Sequence, residues 1–120
     1  AAMLEAGDPT IPINSCYVLR CTSDDDALAL TALLNSPPMT AWLAALAEPA
    51  RGGYHRFMSW TMALLPLPTR WMRARAALAP LARRARAGEL VSDEELTDVT
   101  CWCHGILGSA VTPLLQWARR

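Results

Sequence analysis

Arginine is concentrated in one segment of this chain, and no other sequence feature constrains the fold and the kind of binding partner so strongly. Between residues 50 and 88 there are eight arginines, no lysine and no acidic residue, although the whole chain has a formal net charge of zero. The eight are Arg51, Arg56, Arg70, Arg73, Arg75, Arg83, Arg84 and Arg86. Clustered guanidinium groups indicate a polyanionic partner, because they release counterions condensed on phosphates and bind phosphate oxygens in pairs. The alternative is a solvated face of a protein that uses arginine in place of lysine.

Six of these arginines lie in a segment with the pattern of an amphipathic helix, which we predict over residues 69–87. At about 100° per residue, its apolar side chains fall within about one third of the circumference and the arginines occupy the remainder. The apolar set is Trp71, Ala74, Leu78, Leu81, Ala82 and Ala85. Pro80 predicts a kink or a division of this helix. A basic helix of this kind suits a nucleic acid, an anionic membrane surface or an acidic protein.

The segment before residue 50 predicts one strand and two helices. Residues 14–21 are rich in strand formers and predict a strand. Ser23 and Asp26 match a capping box that opens a helix to about Leu34, with three aspartates in its first turn where the helix dipole favours negative charge. A second helix is predicted from Pro38 or Met39 to about Ala47.

Further along the chain, residues 54–62 predict a strand or hairpin arm, and the prolines of residues 63–68 predict an extended edge. Ser92 and Glu95 form a second capping box, which opens a helix to about His104 with Gly105 as its stop. A short terminal helix is expected from Thr112 and Pro113. The expected fold class is therefore α+β, mostly helical with a few short strands.

Composition limits the function classes. A chain of 120 residues with 52% hydrophobic content forms one small domain or part of a larger protein. No apolar run approaches the length of about 18 residues that spans a membrane, so we expect no membrane insertion and a cytoplasmic location. The first residue is not Met, which suggests a fragment of something longer.

The sequence offers no persuasive catalytic or metal site. Cys16, Cys21 and Cys101, with Cys103 or His104, could be written as a zinc site, but their spacing differs from that of structural zinc motifs. We therefore interpret the cysteines as reduced thiols that pack like small apolar residues. No pair of residues suited to general acid and base catalysis is evident, and no cofactor-binding motif is present.

The segment Arg51-Gly-Gly-Tyr-His-Arg-Phe57 has the composition of a DNA-reading loop. Gly52 and Gly53 allow the backbone to approach a ligand closely, while the arginines, Tyr54 and His55 supply phosphate contacts, base-edge hydrogen bonds and a stacking ring. The alternative is a glycine turn whose aromatic side chains pack into the core.

Three stretches, in their order, resemble a known family. The first stretch is residues 16–20 (Cys-Tyr-Val-Leu-Arg) followed by residues 27–36 (Ala-Leu-Ala-Leu-Thr-Ala-Leu-Leu-Asn-Ser). The second is residues 52–57 leading to Leu-Pro-Leu-Pro at 65–68. The third is Asp-Glu-Glu-Leu at 93–96 leading to His-Gly-Ile at 104–106. This order is similar to the C-terminal target-recognition part of adenine-specific DNA methyltransferases of restriction-modification systems, and to the related specificity subunits of type I restriction enzymes. The resemblance covers about residues 14–107.

The resemblance implies a partial DNA target-recognition domain over residues 1–68, followed by a basic helix and a C-terminal helical extension over 69–120. The implied partner is double-stranded DNA, and the catalytic domain, which would bind S-adenosylmethionine, would be supplied in cis or in trans. The candidate DNA-binding residues are Arg51, Gly52, Gly53, Tyr54, His55 and Arg56 near the bases, and Arg70, Arg73 and Arg84 at phosphates. No catalytic residue of such an enzyme is expected in this chain.

A second interpretation belongs to another class, a small helical module that docks a protein. Its surface would use the five tryptophans, and the arginine helix would meet an acidic face. The tryptophans are Trp42, Trp60, Trp71, Trp102 and Trp117.

Overall fold

The computed structural model describes residues 1–5, 7–12 and 16–118, with residues 109, 114, 115, 117 and 118 described by their backbone only. Within these ranges the chain is mostly helical and carries one two-stranded antiparallel sheet, which confirms the predicted α+β class. The elements are α1 (Asp24–Asn35), α2 (Pro37–Leu46), β1 (Glu48–Pro49), β2 (His55–Arg56), α3 (Ser59–Ala63), α4 (Trp71–Arg86), α5 (Asp93–Cys103), a short 3-10 helix (Gly108–Ala110) and α6 (Val111–Ala118). None of these helices combines the length and the apolar character that crossing a bilayer requires.

The starts of α1 and α5 are fixed by the predicted capping boxes. The Ser23 hydroxyl oxygen accepts a hydrogen bond from the Asp26 N–H at 3.1 Å, and Ser92 accepts one from the Glu95 N–H at 3.1 Å. Each cap satisfies one of the amide donors left free at a helix start, and acidic residues occupy both first turns. Local sequence alone therefore sets these two boundaries.

The ends of α4 and α5 use the same glycine motif. Gly88 and Gly105 have positive φ values of 84° and 72°, which favour glycine. After α5, the Gly105 N–H donates to the Trp102 carbonyl oxygen at 3.1 Å and the Ile106 N–H donates to Cys101 at 2.8 Å. This paired arrangement is a Schellman motif, and it confirms the expected stop at Gly105.

The core lies mainly between α1 and α4, which form the most extensive helix pair. Its buried members are Leu28, Ala29, Ala32, Leu33, Met39, Ala74, Leu78, Ala79 and Ala82. The predicted apolar face of α4 is therefore confirmed except at Ala85, which is exposed. Residues on both sides of the predicted boundary at 68 and 69 contribute to this one core.

Pro80 interrupts the hydrogen bonding of α4 without dividing the helix, which runs unbroken from Trp71 to Arg86. Pro80 and Ala76 are both exposed, so the carbonyl group that loses its proline partner faces the solvent side. A proline on this side disturbs no core contact.

Three strand predictions are corrected by the structure. Residues 16–21 form no strand and are exposed throughout, while residues 14 and 15 lie outside the described residues. Of the arm expected over 54–62, only residues 55 and 56 are strand, because Ser59–Ala63 is the helix α3. The edge expected over 63–68 forms no sheet, since Ala63 ends α3 and residues 65–68 are irregular. Strand formation depends on an available partner as well as on composition, and within the described residues β2 pairs only with β1.

Candidate nucleic-acid interface

A short hairpin carries the predicted DNA-reading residues. Glu48 pairs with Arg56 and Pro49 with His55, and the Ala50 N–H donates to the Tyr54 carbonyl oxygen at 2.8 Å to close the loop. We call residues 48–57 the recognition hairpin. All residues from 51 to 57 are exposed, and 75% of the Tyr54 surface is accessible. The aromatic side chain of Tyr54 is therefore not part of the core, contrary to the alternative interpretation of this segment.

The two glycines are required by the geometry of the hairpin loop. Gly52 and Gly53 have φ values of 84° and 80°, a region that other residues seldom adopt. A Cβ atom at Gly52 would also lie 3.3 Å from the Tyr54 ring. The glycines therefore permit the tight turn that presents Arg51 and Tyr54 at the tip.

The hairpin is anchored to the remainder of the molecule at its base. The Tyr17 hydroxyl donates a hydrogen bond to the Phe57 carbonyl oxygen at 3.0 Å. A groove of about 800 Å³ adjoins this base and is lined by side chains that include Tyr17, Leu43 and Met62 together with His55 and Arg56. The anchoring contact lies at one end of the hairpin, so the tip remains free.

Half of the arginines in the basic segment are paired with carboxylates. Arg83 pairs with Asp25, Arg75 with Asp26 at 3.4 Å, Arg86 with Glu5 at 2.5 Å, and Arg84 with both Glu89 at 3.1 Å and Glu95 at 2.5 Å. Hydrogen bonds from Arg84 to Glu95 and then to Glu89 raise the pKa of Arg84 above its ordinary value. The polar face of α4 is thus largely neutralised by the protein itself.

Within the described residues, Arg84 is paired with carboxylates, unlike the other two candidate phosphate contacts, Arg70 and Arg73. Its guanidinium is occupied by two carboxylates, and a phosphate would have to displace them. Arg51, Arg56 and Arg70, in contrast, make no ion pair or side-chain hydrogen bond with the described part of the chain. Among the arginines of residues 50–88, those without a carboxylate partner in the described residues therefore lie on the recognition hairpin and at the start of α4.

A second groove, of about 270 Å³, lies between the start of α4 and the end of α5. We call it the α4–α5 groove, and its lining includes Arg70, Arg73, Trp102 and His104. The Arg73 guanidinium carbon lies 4.2 Å from the centroid of the Trp102 ring, a cation–π distance. Sequence reasoning did not find this pair. The sequence feature that could have indicated it is Trp102, which lies beside the predicted core positions Val99 and Cys103 of α5.

His104 connects the end of α5 to the irregular segment 65–68. Its Nδ1 lies 2.9 Å from the Thr100 carbonyl oxygen and its Nε2 lies 3.0 Å from the Pro66 carbonyl oxygen. The ring therefore has a structural position at the edge of the α4–α5 groove.

The residues considered for zinc are not assembled. Cys16 and Cys21 are exposed, Cys101 is buried and Cys103 is half-buried. Burial raises the pKa of both the Cys101 and the Cys103 thiols, which favours the protonated form over the thiolate that binds metals. In the described ranges, no three side chains of the metal-binding types lie close enough to hold an ion.

Comparisons of the chain with protein-family models, with curated proteins and with solved structures found no significant match. The functional interpretation therefore depends on the residues and the geometry of the recognition hairpin and the α4–α5 groove.

Proposed function

We propose that this chain recognises double-stranded DNA in a sequence-specific manner, with the recognition hairpin as the element that reads bases. The observation that carries the proposal is the location of unpaired arginine. On α4, four arginines are bound to carboxylates, whereas Arg51 and Arg56 project from an exposed hairpin beside Tyr54 and His55 and have no partner in the described residues. Uncommitted guanidinium groups on an accessible loop are available to a ligand.

The shape of the hairpin suits this role. The major groove of B-DNA admits a two-stranded β-ribbon, and an arginine there can donate two hydrogen bonds to one guanine edge. An exposed tyrosine and histidine beside the arginines can contact phosphates or bases. The resemblance to target-recognition regions agrees with this assignment, because the same segment carries the glycine loop of the family.

In the full proposal, the chain is the target-recognition part of an adenine-specific DNA methyltransferase. A separate catalytic domain, on the same chain or on a partner, would bind S-adenosylmethionine and transfer its methyl group to an adenine amine. This chain would position the DNA for that domain and would supply no catalytic group.

The test is selection from a pool of random duplexes, with the purified chain at about 50 and 200 mM salt. We expect a short sequence to be enriched by the wild type. The double variant Arg51→Ala/Arg56→Ala should lose the enrichment, because each arginine-to-guanine contact contributes about 1–3 kcal/mol of discrimination.

The matched control is Arg83→Ala/Arg86→Ala. Both double variants take the formal net charge from zero to minus two, but the control removes arginines that are already paired with Asp25 and Glu5. The control should therefore retain the selected sequence. Equal loss in the two variants would mean that net charge alone governs binding, and the base-reading role would be rejected.

The protein-docking interpretation has one observation in its favour. Trp42, Trp60 and Trp102 each keep more than 40% of their surface accessible, and aromatic side chains are frequent at protein interfaces. Trp71 is half-buried instead and donates to Asp26 at 2.8 Å, while the side chain of Trp117 lies outside the described residues. A folded chain that retains no duplex at either salt concentration would favour this second function.

A further inference from the structure

The stacked pair Arg73 and Trp102 differs from every carboxylate-paired arginine of α4. The guanidinium carbon of Arg73 lies over the Trp102 ring, 4.2 Å from its centroid, in a cation–π contact. It forms no ion pair or side-chain hydrogen bond with the described residues. The contact fixes the position of the cation without using any of its N–H donors.

This arrangement is suited to an anion with several oxygen atoms. The five N–H donors of a guanidinium lie in its plane, whereas a stacking contact uses the face. A stacked arginine therefore loses less conformational freedom on binding than a free side chain does. It can still donate two parallel hydrogen bonds to a phosphate, which is the strong geometry for this pair.

The surroundings of Arg73 are also electrostatically favourable. Arg70 lies one turn earlier on the same groove, is exposed and has no carboxylate partner among the described residues. The described lining of the α4–α5 groove contains two arginines and no aspartate or glutamate. An anion entering this groove meets two uncompensated positive charges and no fixed negative charge.

We propose that the α4–α5 groove binds one phosphate of a nucleic-acid backbone, with Arg73 as the donor and Trp102 as the residue that positions it. The choice of a backbone phosphate depends on the proposed function, but the affinity of the groove for phosphate does not. Trp102 thus acquires a role in ligand binding instead of one in docking a protein.

The first test is the salt dependence of binding to a random-sequence duplex. Each phosphate contact contributes about 0.9 to the slope of log K against log salt concentration. The variant Arg73→Ala should lower the magnitude of that slope by about this amount, while any sequence preference is retained. Arg83→Ala is the control on the same helix, since it removes one charge that already pairs with Asp25 and should leave the slope unchanged.

The role of Trp102 needs a measurement that a change in folding would not mimic. Trp102→Phe retains a ring for stacking, whereas Trp102→Leu does not. The leucine variant should bind the duplex about two- to fivefold more weakly, the loss that an exposed cation–π contact accounts for, and the phenylalanine variant should recover most of it. Equal binding by both variants, with both still folded by circular dichroism, would reject the positioning role.

Inorganic phosphate provides a test that does not need DNA. In a titration followed by nuclear magnetic resonance, the Nε–H signal of Arg73 and the indole N–H signal of Trp102 should shift with phosphate and not with chloride at equal ionic strength. If no sequence is enriched in the selection but these signals shift, the groove proposal stands and the base-reading proposal fails. If a sequence is enriched while the Arg73 slope and signals do not change, the groove proposal alone is overturned.

Discussion

Arginine side chains have different surroundings beside the α1–α4 pair and on the recognition hairpin. Between α1 and α4, buried leucines and alanines form the core, and Arg75 and Arg83 of α4 are paired with Asp26 and Asp25 of α1. On the hairpin, residues 51–57 are all exposed and both arginines lack a partner in the described ranges. Arg75 and Arg83 therefore join the two helices of the first region, whereas the arginines of the second region make no such pair in the described ranges.

The difference arises from where the acidic residues are placed. Asp25 and Asp26 occupy the first turn of α1, where they complement the helix dipole, and the packing of α1 along α4 brings them to Arg83 and Arg75. Glu48 is the one acidic residue of the recognition hairpin, and it pairs through the backbone register with Arg56, not through its carboxylate. Equal numbers of positive and negative charges therefore do not produce a uniformly neutral surface.

The largest expected effect on stability is in the core. Leu33 is fully buried between the helices, and Leu33→Ala should lower the free energy of unfolding by about 2–5 kcal/mol because it leaves a cavity. Leu90→Ala is the matched control, since Leu90 is 90% exposed and should change stability by less than about 0.5 kcal/mol. Urea unfolding followed by circular dichroism measures both. Similar losses in the two variants would contradict the assignment of the core to α1 and α4.

Lowering the pH should have a smaller effect on stability, through protonation of the Asp26 carboxylate. Hydrogen bonds from Ser23 and Trp71, then the charge of Arg75, lower the pKa of the Asp26 carboxyl below its ordinary value of 3.8. A carboxyl whose pKa is lower in the folded than in the unfolded state stabilises the fold at pH values above its pKa in the unfolded state. That stabilisation is lost as the pH falls through the pKa of the carboxyl in the folded state. Stability should therefore decline below about pH 4.

The substitution Asp26→Asn should remove this part of the pH dependence and lower stability at neutral pH. Urea unfolding between pH 2 and pH 7 gives the comparison, and the difference between wild type and variant should shrink as the pH falls. Asp24→Asn is the control, since Asp24 lies in the same first turn but makes no hydrogen bond or ion pair with α4 among the described residues. A constant difference at all pH values would mean that the charge of Asp26 does not stabilise the fold.

Local signals predicted the helices of the fold well. Capping boxes at Ser23 and Ser92, the stop at Gly105 and the apolar face of α4 all depend on residues within one or two turns of each other. The strand predictions were wrong for residues 16–21 and 59–62, because a strand needs a partner and strand-forming composition does not provide one. Helix Ser59–Ala63 is short and has no side-chain cap to indicate its start.

The charge arrangement of the candidate site could be predicted only in part. The arginine cluster and the glycine loop are visible in the sequence, and the structure places the loop on an exposed hairpin. Which arginines are free was not visible, because Arg75 and Arg83 meet partners 49 and 58 residues away and Arg86 meets one 81 residues away. Pairing over such separations follows from helix packing and not from any local pattern.

The smallest expected effect on stability is at the tip of the recognition hairpin, and it separates folding from function. Tyr54 is 75% exposed, so Tyr54→Ala should change the free energy of unfolding by less than about 0.5 kcal/mol, because it removes little buried surface. The same variant should weaken binding of the selected duplex, and Tyr54→Phe should recover the part that depends on the ring. Unfolding and duplex binding are measured on the same preparations. A loss of stability above about 1 kcal/mol would show that the hairpin tip belongs to the cooperative core, and the division between the two regions would then fail. Unchanged stability together with weaker binding would show that the tip serves the ligand and not the fold.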